Sequence, residues 1–409
     1  MEFVEYDRTL TAEQIQIREA ARKFAREVLW PVGIALDKMA PEAVVAKGSP
    51  FFDALRQAHE LGFDRMGGPL DQGGLDYPPL TQHLVLEELA AGNAGLAGAV
   101  LLCAFPPEAA LATGNPELAE EFVKPHYAET GPLRIGAWAI TEPDHGSDSL
   151  GLVRPELRVK GPGQLVARKD GDSWVISGQK SSWVSNGPVA EYAVLFMNIE
   201  PKSTLDRGGV AVLPLNLPGL SHGKALDKHG LRGLPQGELI FEEVRIPRRY
   251  MFVEADAYSQ FLDYTLTAFN AGVSAMGVGI ARAAFEAALA YSKGRIQGGR
   301  PIFDHQSVRA RLFRMFSLVQ ASRTLSREVY VYNLNQLREG KPAPLHHSIA
   351  AKVFCTDAAL EVATLAVQLH GGNGMTKEYP VEMLLRDATA CTVADGENAF
   401  LSQVGGSML

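Results

Sequence analysis

Apolar residues recur at helical spacing in the first third of the chain. Thr11 can cap a helix, and Gln14 follows three residues later, as in a capping box. We expect this helix to end at Pro31, because proline interrupts helical hydrogen bonding. The apolar stripe between these signals consists of Ile17, Ala20, Ala21, Phe24 and Val28.

Further helices are predicted in the same part of the chain. Ser49 followed by Pro50 is a typical helix start, and Gly62 is a typical helix end. Residues 80–91 and 116–123 carry helical patterns as well. We therefore predict an N-terminal α-helical domain over residues 1–132.

The pattern changes from about Gly136 onward. Short segments rich in β-branched and aromatic residues follow, separated by Gly, Pro, Asp and Asn, and they predict the strands of an antiparallel unit. No helix-length pattern separates them, which argues against a parallel βαβ sheet. The predicted strands are residues 174–186, 192–199, 209–215 and 238–247, within a central antiparallel β domain at 133–247.

Longer helical patterns return after Pro247. Residues 258–294 are crowded with alanine and glycine, which let helices approach closely. With residues 304–338, 345–369 and 381 onward, joined by short links, they predict an antiparallel four-helix bundle. The predicted fold class is thus α+β multidomain, with the C-terminal four-helix bundle occupying residues 248–409.

Composition and charge exclude some functions. The 409 residues are 46% hydrophobic and carry a net charge of −8, which gives no basic footprint for nucleic acid. The segment Leu89–Pro107 is uncharged, but glycines, Asn93 and the pair Pro106-Pro107 interrupt it. It predicts a buried helix and loop, and not a membrane span.

The cysteines bear on the compartment. Cys103, Cys355 and Cys391 lie far apart and form no CxxC pair, which argues against a zinc site or a disulfide framework. The N-terminus lacks the basic start and apolar core of a signal peptide. We therefore expect a cytoplasmic protein without a metal site.

Three segments combine polar residues with glycine, and the first two also contain a tryptophan. They read "AWAITEPDHGSDS" at 137–149, "SSWVSNG" at 181–187 and "QLHGGNGMTKEYP" at 368–380. Taken alone, they are a polar turn, a strand with a core tryptophan, and a helix end followed by a loop. The glycines of the third segment are not a dinucleotide or phosphate-loop signature, because no strand precedes them.

Together, in this order, the three segments resemble the signatures of the acyl-CoA dehydrogenase family. The resemblance runs from about residue 8 to about residue 405 and includes "ARKFAREVLWPV", "LEELA", "GELIFEEVRIP" and His305-Gln306. It implies FAD held between the β domain and the bundle of a homotetramer, a pair of dimers. It also implies proton removal beside an acyl-CoA thioester, hydride transfer to the flavin N5, and an electron-transferring flavoprotein as partner.

The resemblance assigns roles by position. Thr141 and Ser185 would hydrogen-bond the flavin ring, and Trp183 would pack beside it. Four residues would serve a neighbouring subunit's FAD, namely Arg295, Gln306, Gln368 and Gly372. The full implied cofactor set is Trp138, Ile140, Thr141, Gly146, Ser147, Trp183, Ser185, Arg295, Gln306, Gln368, Gly371, Gly372 and Glu397. The implied substrate-binding residues are Ser147, Asn270 and Gly396.

Asp395 occupies the position at which most of the family carries its glutamate base. Its side chain is one carbon shorter, which reduces its reach by about 1.5 Å. A displacement of that size can cost on the order of 100-fold in rate. Aspartate here resembles members that oxidise alicyclic acyl-CoA rings, so the substrate is expected to be short, branched or alicyclic. The competing interpretation is that Asp395 only caps a helix beginning near Gly396.

Other interpretations remain beside this one. Some members place a glutamate base where this chain has Phe269, which is not a base. A nitroalkane oxidase would pair its aspartate with an arginine where this chain has Ser402. A non-catalytic, DNA-associated flavin-binding member would have a basic C-terminal part, which is absent here. Gly298 and Glu397 also depart from the family's usual cofactor contacts.

Overall fold

The computed structural model describes residues 3–128, 131–151, 154, 157, 163–199 and 208–409. The capping box at Thr11 and Gln14 is confirmed. The helices before the β domain are α1 (Ala12–Phe24), α2 (Trp30–Asp37), α3 (Pro41–Val44), α4 (Pro50–Glu60), α5 (Pro79–Ala112), α6 (Pro116–Leu118) and α7 (Lys124–Tyr127).

The predicted helix end at Pro31 is wrong. A π-helical turn at Ala25–Leu29 joins α1 to α2, and the Trp30 N–H donates to the carbonyl of Ala25. The wider turn places Pro31 within the first two positions of α2. A proline there removes no hydrogen bond that the helix needs, so the chain stays helical.

The helix α5 runs past both predicted interruptions. Its backbone departs from helical geometry at Asn93, whose Oδ1 accepts from the Leu96 N–H at 2.9 Å and so caps the second half. Pro107 lacks an N–H for the carbonyl of Cys103, and the Tyr192 hydroxyl donates to that carbonyl at 2.9 Å instead. The expected loop around the prolines is therefore helix.

By length and hydropathy, α5 and the helix Tyr258–Gly294 would each suffice to cross a membrane. Their most apolar windows are 83% and 78% buried within the fold. Core helices of large proteins pass the same test, so this feature is weak evidence for a span.

The β domain is an eight-stranded sheet within the described residues. Its strands are β1 (Gly136–Ala139), β2 (Val166–Asp170), β3 (Ser173–Ser185), β4 (Tyr192–Ile199), β5 (Gly209–Pro214), β6 (Leu220–His222), β7 (Gln236–Pro247) and β8 (Met251–Glu254).

Most strand pairs are antiparallel, as predicted, but β4 pairs in parallel with both β1 and β2. The prediction missed β1, β2, β6 and β8, and the sheet continues to Glu254, past the expected boundary at 247. A small ribbon of β9 (Ile296–Gln297) and β10 (Arg300–Pro301) lies among the later helices.

The C-terminal helices are α8 (Tyr258–Gly294), α9 (Gln306–Arg338), α10 (Leu345–His370), α11 (Val381–Val393) and α12 (Asn398–Gly406). The expected close approach of small residues is confirmed. A Cβ on Gly277 would lie 3.1 Å from the carbonyl of Cys355, and one on Gly279 would lie 2.6 Å from Ala90 Cβ. Glycine therefore lets α8 pack directly on α10 and α5.

Buried ion pairs connect these helices. Arg282 on α8 pairs with Glu87 at 2.7 Å and also with Glu88, both on α5. Arg323 on α9 donates to Glu87 at 2.9 Å, and Arg22 on α1 donates to Glu88 at 2.9 Å. Burial alone would raise the pKa of Glu87, but Arg323 and Arg282 outweigh it and lower that pKa. The N-terminal domain and the bundle are thus joined by compensated charges.

Candidate active site

A cavity of about 1050 Å³ lies between the β domain, the helices α5 and α8, and the link from α11 to α12. Its volume is at the upper end of the range for small-molecule sites, so it has room for more than one ligand group. Its polar wall includes Thr141, Ser147, Ser185 and Asp395, and its apolar wall includes Leu101, Phe105, Phe269 and Met276.

Asp395 lies on the link between α11 and α12 and lines this cavity. Its φ is +51° and that of Gly396 is +109°, both in the left-handed region. A Cβ on Gly396 would lie 2.7 Å from Leu401 and 3.0 Å from Leu150, so only glycine fits. The link is a tight reversal that turns the Asp395 carboxyl into the cavity.

Lys352, on α10, stabilises this reversal through hydrogen bonds to the Asp395 link and to α12. Its Nζ donates to the carbonyl of Gly396 at 2.6 Å and to Oδ1 of Asn398 at 2.7 Å. Burial raises the pKa of Asp395 to about 6, and the Lys352 charge opposes that rise. Burial in turn lowers the pKa of Lys352 to about 8, with Asp395 opposing. At neutral pH the pair is therefore an ionised carboxylate beside an ammonium.

Glu397, and not Asp395, caps the following helix. Its carboxylate accepts from the backbone N–H groups of Ala399 and Phe400 at 2.9 Å, and these two bonds lower its pKa. The interpretation of Asp395 as a helix cap is therefore wrong. The backbone N–H of Glu397 donates to Ser147 Oγ at 3.0 Å, which brings the loop after β1 against the Asp395 link.

The loop after β1 is held by its own hydrogen bonds. His145 Nδ1 bonds to Asp148 at 2.8 Å, and the Gly146 N–H donates to the same carboxylate at 2.6 Å. Thr141 Oγ1 and Ser181 Oγ are 2.6 Å apart, which connects the loop to β3. The hydroxyl groups of Thr141 and Ser147 are thus fixed on one edge of the cavity.

The strand β3 forms the cavity rim. Trp183 is 60% exposed there. It is therefore not the core tryptophan that the strand pattern, taken alone, indicated. Ser185 Oγ accepts from Gln236 at 3.0 Å, and Gln236 accepts from Lys228 at 2.8 Å. Burial lowers the pKa of Lys228 to about 7, with Asp387 opposing.

Trp138 lies beside these groups on β1, paired in register with Ser185. Its Nε1–H is buried and has no acceptor among the described residues. Ile140 also lines the cavity. An orphaned donor, fixed hydroxyls and an exposed indole along one wall fit a planar heterocycle with polar edges, such as a flavin ring.

The predicted substrate contact at Asn270 is not among the residues that line the cavity. Asn270 is fully buried, and its Nδ2 donates to the carbonyl of Leu266 at 3.0 Å. The neighbouring Phe269 lines the cavity instead, with ring centres 4.9 Å from Phe105 and 4.4 Å from Trp138. Since residues one apart on a helix face different directions, the cavity wall here is aromatic.

The residues expected to serve a neighbour's cofactor lie elsewhere. They are exposed and none of them lines the cavity: Arg295, Gln306, Gln368, Gly371 and Gly372. They lie at or next to the ends of α8, α9 and α10, where Tyr291 of α8 stacks on His370 of α10 with ring centres 4.0 Å apart. The structure thus separates them from the Asp395 link, at a surface that a second subunit could reach.

Sequence reasoning missed several charged residues of the site, among them Lys228, Lys352 and Glu108. Lys352 interrupts the apolar run "SIAAKVFC", and Glu108 is the first charge after a long uncharged segment. An isolated charge within an apolar helix is a usable signal, because burying it requires a partner or a function.

Comparison with known proteins agrees with the resemblance along the whole chain. The acyl-CoA dehydrogenase N-terminal, middle and C-terminal domain families match residues 11–129, 137–244 and 262–406. A short-chain specific acyl-CoA dehydrogenase of Megasphaera elsdenii is 33% identical over 353 residues, covering 85% of each chain.

Two further proteins extend this comparison. The cyclohex-1-ene-1-carbonyl-CoA dehydrogenase of Syntrophus aciditrophicus is 30% identical over 400 residues, covering 98% of this chain and 90% of its own. The solved structure of butyryl-CoA dehydrogenase from Megasphaera elsdenii superposes with a TM-score of 0.84 at 28% identity, covering 100% of this chain and 99% of that one.

Proposed function

This chain belongs to the acyl-CoA dehydrogenase family, and we propose that it uses FAD to introduce a double bond next to an acyl-CoA thioester, with Asp395 as the base. The main support is that Asp395, on the polar wall, lines the same cavity as the aromatic residues Phe105 and Phe269. Flavin bound along Thr141, Trp183 and Ser185 would accept the hydride.

Asp395 has the acid–base properties that this reaction needs. With its pKa raised to about 6 by burial, it is ionised at neutral pH and more basic than an exposed aspartate. Lys352 keeps it charged and holds the link on which it lies. The α-proton would pass from substrate to an Asp395 oxygen, within a cavity whose walls limit the access of water.

The thioester oxygen needs hydrogen-bond donors while charge develops on it. The Asp395 backbone N–H has no acceptor among the described residues, so it is available to this oxygen. Ser147 Oγ lies beside the same link, through its bond with the Glu397 N–H. These groups would fix the thioester so that its α-carbon faces Asp395.

We also propose that the acyl group is short, branched or alicyclic. Phe105, Phe269 and Trp138 pack against one another along the cavity and restrict a long straight tail. A base shorter by one carbon leaves space for a ring at the α-carbon. The relative named as a cyclohex-1-ene-1-carbonyl-CoA dehydrogenase supports this choice.

We also propose that the protein assembles into a homotetramer. Arg295, Gln306 and Gln368 are exposed at one end of the bundle, away from the cavity, and would contact the FAD of a neighbouring subunit in a homotetramer. An electron-transferring flavoprotein would reoxidise the flavin. Light scattering of the FAD-loaded protein tests the assembly, and a monomer that retains FAD would contradict it.

The substitution Asp395→Asn tests the base. Size and backbone are nearly unchanged, so the protein should keep its fold and FAD and should still bind an acyl-CoA. Flavin reduction measured by rapid mixing should fall by roughly 10²–10⁴-fold.

Asp357→Asn is the matched control. It alters a nearby carboxylate that accepts from Asn398 at 2.8 Å but does not line the cavity. Its reduction rate should stay within a few-fold of the parent. Near-parental reduction by Asp395→Asn would end the base assignment.

A further inference from the structure

Glu108 lies on the same helical face of α5 as other residues that line the cavity. Leu101, Phe105, Glu108 and Ala112 follow the spacing that puts side chains on one face of a helix, and all four line the cavity. The Glu108 side chain is solvent-accessible, and it lines the cavity, so its accessible surface faces that space.

Glu108 has no hydrogen-bond or ion-pair partner among the described residues. The neighbouring Gln82 donates through Nε2 to the carbonyl of Tyr77 at 2.7 Å and makes no hydrogen bond to Glu108 among the described residues. Other enclosed carboxylates of this chain are paired: Glu87 with Arg282 at 2.7 Å, and Glu142 with Lys180 at 2.8 Å. Glu108 therefore differs from them in lacking a counter-charge.

The surroundings of Glu108 disfavour an unpaired carboxylate. The other cavity-lining residues of this α5 face, Leu101, Phe105 and Ala112, are apolar, and burial raises the pKa of Glu108 to about 7. A carboxyl in such a place becomes favourable when a hydrogen-bond donor arrives. Since Glu108 has no partner among the described residues, a ligand in the cavity is the remaining source of such a donor.

The position of Glu108 relative to the aromatic wall says which part of a substrate it can reach. Phe105 packs on Phe269 and Trp138, and Glu108 follows it by three residues, a rise of about 4.5 Å along the helix. With the thioester fixed at Asp395 and Ser147, an acyl chain that extends along this aromatic wall would approach Glu108, which lines the same cavity.

We propose that Glu108 selects acyl thioesters whose acyl group carries a hydrogen-bond donor, a hydroxyl or an ammonium group, at the end remote from the thioester. This inference rests on the proposed function and names the substrate class of that site. The carboxyl accepts a hydrogen bond from the donor, and an ammonium group would also supply the missing counter-charge.

The test compares short straight-chain acyl-CoA esters of equal length that end in methyl, hydroxyl, ammonium or carboxylate. With the FAD-loaded enzyme, kcat/KM for flavin reduction by the hydroxyl or ammonium ester should exceed that for the methyl ester by about tenfold or more. The carboxylate ester should be the poorest, because it places a like charge beside Glu108.

Two variants and a control complete the design. Glu108→Leu should reverse the order and favour the methyl ester, and Glu108→Gln should lose the preference for ammonium while keeping part of that for hydroxyl. Glu120→Gln, which removes an exposed carboxylate that pairs with Lys124, should change nothing. Flavin content and unfolding temperature report whether each variant has folded.

The outcomes separate the two proposals. A parent enzyme that prefers the methyl or carboxylate ester overturns the role of Glu108. A Glu108→Leu variant that loses the same factor on every ester also overturns it, since Glu108 would then contact the shared CoA part or support the fold. If no ester reduces the flavin of any variant, the proposed function fails and this inference fails with it.

Discussion

Replacing Lys352 by methionine should change the pH dependence of flavin reduction and leave its limit at high pH intact. Methionine has a similar length but no charge. Lys352 contributes the opposing charge on Asp395, whose pKa is about 6 in the parent. In a partly buried site one such charge is worth on the order of 1.4 kcal/mol, or about one pKa unit.

The expected size of the rate change follows from the ionised fraction of Asp395. If its pKa rises by about one unit, this fraction falls from about a half to about a tenth at pH 6, and from about nine-tenths to about a half at pH 7. The reduction rate should therefore drop about fivefold at pH 6 and about twofold at pH 7. Above pH 8 the two enzymes should agree, because Asp395 is ionised in both.

Rapid-mixing reduction of the FAD-loaded enzyme between pH 5.5 and 9 measures this effect. Lys352→Arg keeps the charge and should retain the parental profile, while Lys377→Met removes an exposed lysine and serves as the control. If the main role of Lys352 were instead its hydrogen bond to Gly396, the rate would fall by the same factor at every pH, including above pH 8. A rate reduced by one factor at every pH would refute the electrostatic role of Lys352.

Two further predictions concern Asp395. Asp395→Glu should lower the oxidation of ring substrates and spare or raise that of short straight chains, because the longer side chain fills the space at the α-carbon. Rates on a panel of acyl-CoA esters test this prediction, and equal losses on all esters would contradict it. The pKa of Asp395 is raised on folding, so its protonated form stabilises the native state below pH 4, and this contribution is lost as pH rises through about 6. Asp395→Asn should therefore gain up to about 3 kcal/mol in free energy of unfolding relative to the parent between pH 4 and pH 7, measured by denaturant titration, and an unchanged difference across this range would contradict the pKa shift.

Local signals in the sequence predicted the elements whose formation depends on local chemistry. Thr11 with Gln14, Ser49 with Pro50, and the small residues of α8 behave as their types suggest. The errors arise where a distant partner changes the outcome. The Tyr192 hydroxyl satisfies the carbonyl that Pro107 leaves free, so α5 continues where its sequence predicts a break. The parallel pairing of β1 with β4 depends on tertiary contacts that no short pattern reports.

The candidate site shows the same contrast between features that local motifs predict and features that depend on the folded structure. Motif position led to the loop of Thr141 and Ser147, the rim at Trp183 and the link at Asp395, and the structure brings all of these to one cavity. Motif position could not show that Glu397 caps α12 or that Phe269, and not Asn270, reaches the cavity. The first depends on the residue at which α12 begins, and the second on the rotation of α8 about its axis, which changes by about 100° for each residue.

The ion pairs among Glu87, Glu88, Arg282 and Arg323 also restrict how this chain can diverge during evolution. Each charge is compensated by residues on other helices, so replacing one leaves an uncompensated charge inside the protein. Such a change costs about 3–5 kcal/mol, whereas replacing the whole set with apolar residues can be neutral or stabilising. Descendants of this sequence should therefore keep all of these charges or lose them together, and intermediates with a partial set should be rare.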